Sequence, residues 1–314
     1  MQSFSAVHSD QEKTRPFPSA VNYPPFQSHF FAVQGHRLHY LDEGEGEPVV
    51  MLHGNPTWCY YYRNVVAALR GQYRCIVPDH IGCGLSDKPG DDMYQYTLRR
   101  RVDDVEALLE QLGIQENITL MLHDWGGMIG MAFATRHPER VKRIVLLNTA
   151  AFHLPKSKPF PWPLWLVRTP LGALLVRGFN AFSATAARVC VRRRPLPRDV
   201  RRAYVAPYNS WRNRIATLRF VQDIPLRPSD PSYGIVTQVQ EKLPQFRDRP
   251  VLICWGLKDF VFSHHFLSEW ERILPQAEVH RFADCGHYVL EDAADEIIPR
   301  IQDFLARHPL EIRA

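Results

Sequence analysis

Nowhere in the 314 residues do 18 apolar side chains run together, so no membrane-spanning helix is expected. The most apolar stretch, residues 160–179, is broken by Pro161, Pro163, Arg168, Pro170 and Arg177. Cysteine is sparse. Cys59, Cys75, Cys83, Cys190, Cys254 and Cys285 include no pair two or three residues apart, which excludes zinc and thioredoxin-like spacings. Most lie in strand-like contexts such as Arg74-Cys75-Ile76-Val77, and read as buried free thiols of a reducing, cytoplasmic setting. The N-terminus lacks an apolar signal-peptide segment, because His, Asp, Glu and Lys interrupt it. Glycine, at 17, is too scarce for a low-complexity or collagen-like chain. Excess charge is also missing: 38 basic against 33 acidic residues leave +5, too mild to imply nucleic acid.

What is present is ordinary globular material. Apolar residues make up 45% and charged residues 23%, which argues against disorder and for a sizeable core. Proline stands out, with 25 residues, about 8% against a usual level of about 5%. Length alone suggests about two domains, or one large α/β domain.

Residues 1–27 read as a loose, polar leader. Two strands, His29 to Val33 and Leu38 to Leu41, flank the Gln34-Gly35 turn. The continuously apolar runs Pro48 to Leu52, Tyr73 to Val77, Asn117 to Leu122, Arg143 to Leu147 and Pro250 to Trp255 read as buried strands, with Glu278 to Phe282 as a last one. Trp58 to Leu69 reads as a helix. So does the segment carrying Val102, Val105, Leu108, Leu109 and Leu112, which Gly113 ends, and so does Ile297 to Leu305. Strands alternating with helices imply a mostly parallel central sheet flanked by helices. Between residues 152 and 228 strand patterns vanish and prolines, arginines and helical patterns take over. The reading is a core over 28–151 and 229–314, interrupted by a helical cap over 152–228.

In open parallel sheets, function collects at the carboxyl ends of strands. The polar residues placed there are Asn55, Asp124, Asn148, Asp259 and His287. Their order, nucleophile then acid then histidine, is that of an α/β-hydrolase triad with Asp where serine usually stands. Asp124 follows a strand and opens a helix, as a nucleophile elbow requires. The pattern wants a small residue two before it, and Leu122 departs from that; Gly126 and Gly127 follow as the pattern wants. An Asp at this place could otherwise simply cap the helix. As a nucleophile it is ionised near neutral pH without a base, and suits attack on an electrophilic carbon to give a covalent ester. His287 then fits as general base for a water that hydrolyses the ester. Asp259 fits as the group that orients it, and the backbone N–H groups of Asn55 and Trp125 fit an oxyanion hole. Such chemistry calls for neither a cofactor nor a metal.

The segments His53-Gly54-Asn55-Pro56-Thr57-Trp58 and His123-Asp124-Trp125-Gly126-Gly127 resemble the haloalkane dehalogenase family of α/β-hydrolases. The resemblance covers nearly the whole chain after residue 27. It implies that the Asn55 side chain and the Trp125 indole bind a leaving group. Asn148 stands where some members carry the acid, which leaves that role to Asp259. A narrower resemblance, to the β-lactone decarboxylases of bacterial long-chain olefin biosynthesis, rests on Ile76-Val77-Pro78-Asp79-His80-Ile81-Gly82, Asn148-Thr149-Ala150-Ala151-Phe152, Asn180-Ala181-Phe182-Ser183 and Arg202-Ala203-Tyr204-Val205-Ala206-Pro207-Tyr208. It implies a hydrophobic substrate, a cis-β-lactone converted to a cis-alkene and carbon dioxide, and work beside other olefin-pathway enzymes.

Three other readings compete. A haloalkane dehalogenase would hydrolyse carbon–halogen bonds with the same residues. An epoxide hydrolase would need two cap tyrosines, for which Tyr204 and Tyr208 are available, although Asn55 argues against it. A binding module would need a broken catalytic set, and this set is intact. Phe160, Trp58, Trp162 and Trp165 read first as packing residues, Cys285 as a loop support, and Asp79 and His80 as turn structure. The cap holds 15 Lys or Arg and only two acids, Asp199 and Asp223, so it carries +13 while the rest carries −8. A strongly basic lid on an acidic body points to contact with an acidic partner or an anionic membrane surface.

Overall fold

Strands buried on both faces occupy the centre of the computed structural model, which describes residues 26–310. The expected leader lies outside the described residues except for Phe26 and Gln27. Phe26 is buried under the Arg70 guanidinium, 5.4 Å from the ring centre, and the Gln27 N–H donates to Glu43 at 2.7 Å.

The sheet has eight strands: β1 (Ser28–Val33), β2 (His36–Glu43), β3 (Glu47–Leu52), β4 (Tyr73–Pro78), β5 (Ile118–Asp124), β6 (Val141–Thr149), β7 (Val251–Gly256) and β8 (Glu278–Phe282). Their order is β1-β2-β4-β3-β5-β6-β7-β8. The pairs β1/β2 and β2/β4 are antiparallel; every other pair is parallel. Alternation decides which core each residue joins. Val50 and Leu52 face one apolar cluster, while Val49 and Met51 face another on the opposite side.

Helices cover both faces. α1 (Arg63–Leu69) is shorter than the expected helix, because residues Cys59–Tyr62 form a 3-10 turn whose Cys59 N–H is taken by the Asp79 carboxylate at 2.7 Å. α2 (Leu98–Gln111) buries Leu98, Val102, Val105, Leu108 and Leu109, is capped by Thr97, and ends before Gly113, where φ is +68°. α3 (Trp125–Arg136) follows β5 directly. After β6 the chain makes a helical insertion: α4 (Trp162–Val167), α5 (Pro170–Phe179), α6 (Ala181–Val189), α7 (Arg198–Val205) and α8 (Ile215–Gln222). Leu164, Val167, Val176, Leu218 and Val221 give it a small apolar cluster of its own. α9 (Tyr233–Lys242) returns to pack on α3, and α10 (His264–Ile273), α11 (Val289–Asp292) and α12 (Ala294–Arg307) complete the layers. Among the described residues no helix is long and apolar enough to cross a membrane.

Register places the site. Leu52 pairs with Leu122, His123 with Leu147, and Gly256 with Phe282. The parallel strands therefore end together, and the loops after them converge under the insertion.

Candidate active site

Asp124 ends β5 with φ +51° and ψ −124°, a backbone region that non-glycine residues rarely occupy. Close packing around it requires bare backbone. A Cβ on Gly54 would lie 2.0 Å from Asp124 Oδ1, one on Gly126 1.9 Å from the Leu52 carbonyl, and one on Gly127 1.9 Å from Thr149 Oγ1. The bulk of Leu122 is accommodated from the other side: a Cβ on Gly130 would come within 2.3 Å of it. Gly130 thus supplies the room that a small residue at 122 otherwise would.

The Asp124 carboxylate is buried. Its Oδ1 accepts the Asn55 N–H at 2.6 Å, and the Trp125 N–H also supports the carboxylate. Its Oδ2 faces His287 Nε2 at 3.6 Å. The other His287 nitrogen, Nδ1, bonds Asp259 Oδ2 at 2.7 Å. Asp259 is fixed from three sides: its Oδ1 accepts the N–H groups of Val261 and Phe262, and its Oδ2 accepts the Asn148 amide at 3.1 Å. Asn148 also accepts the Gly256 N–H and donates to the Gly256 carbonyl. Burial pushes the Asp124 carboxyl above its usual range, although the His287 charge and the Asn55 and Trp125 N–H groups pull against it. For His287 burial disfavours the charged form, but the Asp259 carboxylate, its hydrogen bond and Asp124 outweigh burial and raise the pKa. His123, whose local sequence gives no sign of this contact, holds His287 from behind. Its Nε2 bonds the His287 carbonyl at 2.9 Å, and its ring stacks on Tyr61 at 4.2 Å.

These groups open into a cavity of about 480 Å³ lined almost wholly by apolar side chains from the core and from α4, α5, α6 and α8. Asn55, Asp124, Trp125 and His287 are among its few polar members. Asn55 Nδ2 donates to the Thr217 carbonyl at 3.0 Å, while its buried Oδ1 has no partner among the described residues. Phe160 and Trp162, read first as packing, line the cavity. Trp165 packs on Phe160, and Trp58 is buried against Tyr60. Cys190 and Ala186 of the α6 region also line it, and nothing in their local sequence signals this. Burial pushes the Cys285 thiol up to about 12.

Tyr204 and Tyr208 do not reach the cavity. Tyr204 donates to Glu291, and Tyr208 donates to the Thr57 carbonyl at 3.2 Å. The pair of tyrosine acids that an epoxide hydrolase needs is absent from these positions. Asp79 is more than turn structure. It is buried, accepts from Cys59 N, Leu85 N and His39 Nδ1, and its carboxyl stays well below the usual range, because His39 and His53 outweigh burial. His39, Cys59 and Asp79 have potential ligand atoms within 4.8 Å of one another, yet hydrogen bonds already occupy His39 Nδ1 and both Asp79 oxygens.

The profile of the α/β-hydrolase fold family matches residues 47–294. The chain belongs to that family. Among its relatives this hydrolase is 61% identical to the cis-3-alkyl-4-alkyloxetan-2-one decarboxylase of Shewanella oneidensis, over 90% of this chain and 89% of that protein. A protein of the same name from Xanthomonas campestris pv. campestris is 54% identical over 88% of this chain and 94% of its own. The crystal structure of the haloalkane dehalogenase DatA from Agrobacterium tumefaciens superposes with a TM-score of 0.82 at 25% identity, covering 94% of this chain and all of that one. The hydrolase is thus haloalkane dehalogenase-like, with an eight-stranded, mostly parallel sheet and an inserted helical region, as the sequence pattern predicts.

Proposed function

We propose that this hydrolase converts cis-3,4-dialkyl oxetan-2-ones, four-membered β-lactones, to cis-alkenes and carbon dioxide. One observation carries the reading: 61% identity over 90% of the chain to a decarboxylase named for that substrate. The apolar cavity suits two alkyl chains, and its polar groups gather at one end, around Asp124.

With Oδ1 held by Asn55, Asp124 attacks through Oδ2. Attack at the ring carbon that bears the ring oxygen forms an alkyl ester of Asp124, breaks the carbon–oxygen ring bond and frees a carboxylate. The Asn55 side-chain amide and the Trp125 indole N–H, both on the cavity wall, bind that departing oxygen. The bond to the carboxylate carbon then breaks, carbon dioxide leaves, and its electron pair forms the alkene while Asp124 departs as carboxylate. Inversion in the first step and anti departure in the second keep the cis geometry. No water is consumed. His287, held by Asp259, therefore stabilises the Asp124 carboxylate as it departs, where a hydrolytic relative would use it as general base. We infer too that the cap, where the positive charge lies, is the part of the molecule that meets other components.

The test is a paired assay. A synthetic long-chain cis-β-lactone is expected to yield alkene, Asp124→Ala to abolish it, and 1,2-dibromoethane to release halide slowly or not at all. Fast halide release without alkene would overturn the reading.

A further inference from the structure

We propose that the outer face of the cap docks on an anionic phospholipid bilayer with the cavity mouth turned toward the lipid. Trp162 and Phe260 both line the cavity and stand 74% and 38% exposed, so they mark its mouth. A cation sits there as well: Lys158 Nζ donates to the Phe260 carbonyl at 3.1 Å, and Lys156 beside it is exposed. The cap also leaves Trp165 of α4, Leu171, Leu174 and Phe179 of α5, and Trp211 uncovered, and Trp165 packs on Phe160 of the cavity wall. Leu174 and Trp211 flank Gly178, where a Cβ would touch both, at 3.6 and 3.8 Å. The inner face of α5, through Gly172, Leu175 and Val176, lines the cavity. A single helix therefore separates the cavity from the exposed apolar surface.

The charge on this face is mostly without an acidic counterpart among the described residues. The helices α4, α5, α6 and α7 pack in succession, each against the next. Arg188 of α6 and Arg198, Arg201 and Arg202 of α7 line a groove of about 310 Å³, and none of the four is in an ion pair among the described residues. Asp199 is the one acid on α7. Arg177 lies over the Trp211 ring at 4.7 Å. Exposed Trp, Leu and Phe side chains beside a groove of guanidinium groups without carboxylate partners match an interface of anionic headgroups over acyl chains. An acidic protein surface would answer the arginines but leave the tryptophan and leucine side chains without an apolar partner. The purpose assigned to this surface, uptake of a dialkyl substrate from the lipid phase, rests on the lactone reading. The docking itself is measured without turnover.

Sedimentation of the full chain with vesicles tests it. Mixed phosphatidylglycerol–phosphatidylcholine vesicles are expected to carry the protein down at low salt, high salt is expected to release it, and pure phosphatidylcholine is expected to hold little. Arg198→Glu/Arg201→Glu/Arg202→Glu and Leu171→Ser/Leu174→Ser are each expected to weaken binding about tenfold or more. Both variants should keep wild-type thermal unfolding and turnover of a short-chain, water-soluble β-lactone. Equal binding to neutral and anionic vesicles, or binding to neither, overturns the proposal; the second result is what an acidic protein partner predicts. If either variant binds as the wild type does, that half of the surface is not in contact and the proposal fails as stated.

Discussion

Asp124 and His287, 3.6 Å apart and both buried, each depend on the other for their charge. Burial works against ionisation of both. It prevails at Asp124, whereas at His287 the Asp259 carboxylate reverses it and lifts the pKa above the ordinary 6.5. A histidine pKa raised by folding stabilises the native state below the unfolded value. That contribution disappears as pH rises through the folded value. Asp259→Asn removes the largest of the raising influences. The titration midpoint of His287, followed by NMR, is expected to fall below that of the wild type. The loss of thermal stability should be larger at about pH 5.5 than at about pH 9. A midpoint that the substitution leaves in place would mean that Asp259 is not the charge His287 responds to.

At the scale of elements, one buried network ties the cap to the segment that carries His287. Arg63 of α1 forms a two-pronged pair with Glu291 of α11 at 2.5 and 2.9 Å, and Tyr204 of α7 donates to the same carboxylate. Tyr204 also stacks on Tyr288, the neighbour of His287, at 5.3 Å. Glu291→Gln leaves the Arg63 guanidinium buried without a counter-charge and is expected to cost about 3 kcal/mol in urea unfolding. Tyr204→Phe leaves the ion pair intact and is expected to cost about 1.5 kcal/mol. If the first variant lost no more than the second, the ion pair would not be what holds these elements. The same network marks what the sequence conceals. Tyr204 and Tyr208 invite an acid role by their place in the cap, yet the partner of Tyr204 lies 87 residues away, and Arg63 and Glu291 are 228 apart. Local pattern carries no trace of such pairings. His123, Asp79 and Cys190 escape for the same reason, since their surroundings come from distant loops. The strands are legible because full burial demands continuous apolar runs. The residues around Asp124 are legible as a set because a parallel sheet gathers its carboxyl ends whatever the loops contain. The short α1 departs from the local pattern: Cys59–Tyr62 ahead of it form a 3-10 turn, whose first N–H is capped by the Asp79 carboxylate from a distant loop.

For the whole molecule, the division that matters runs between body and cap. The body holds Asp124, Asp259 and His287 at the strand ends, and the cap supplies most of the apolar wall of the cavity above them. Chain-length selectivity should therefore be set by the cap and be separable from the chemistry. Ala186 on α6 lines the cavity, is buried, and makes no hydrogen bond through its side chain to Asp124, His287 or Asp259. Ala186→Leu adds three carbon atoms to the wall and removes that space from an alkyl chain. Competition between short-chain and long-chain cis-β-lactones is expected to show the ratio of long to short kcat/KM falling about tenfold, because a misfit of even one methylene in an apolar pocket is worth about 1–3 kcal/mol. Turnover of the short lactone should stay near the wild-type rate, and the fold should survive, since overpacking of this size costs about 1–3 kcal/mol. An unchanged ratio would mean that the alkyl chains lie along another part of the cavity. Parallel losses for both substrates would mean that the cap also positions the reacting ring.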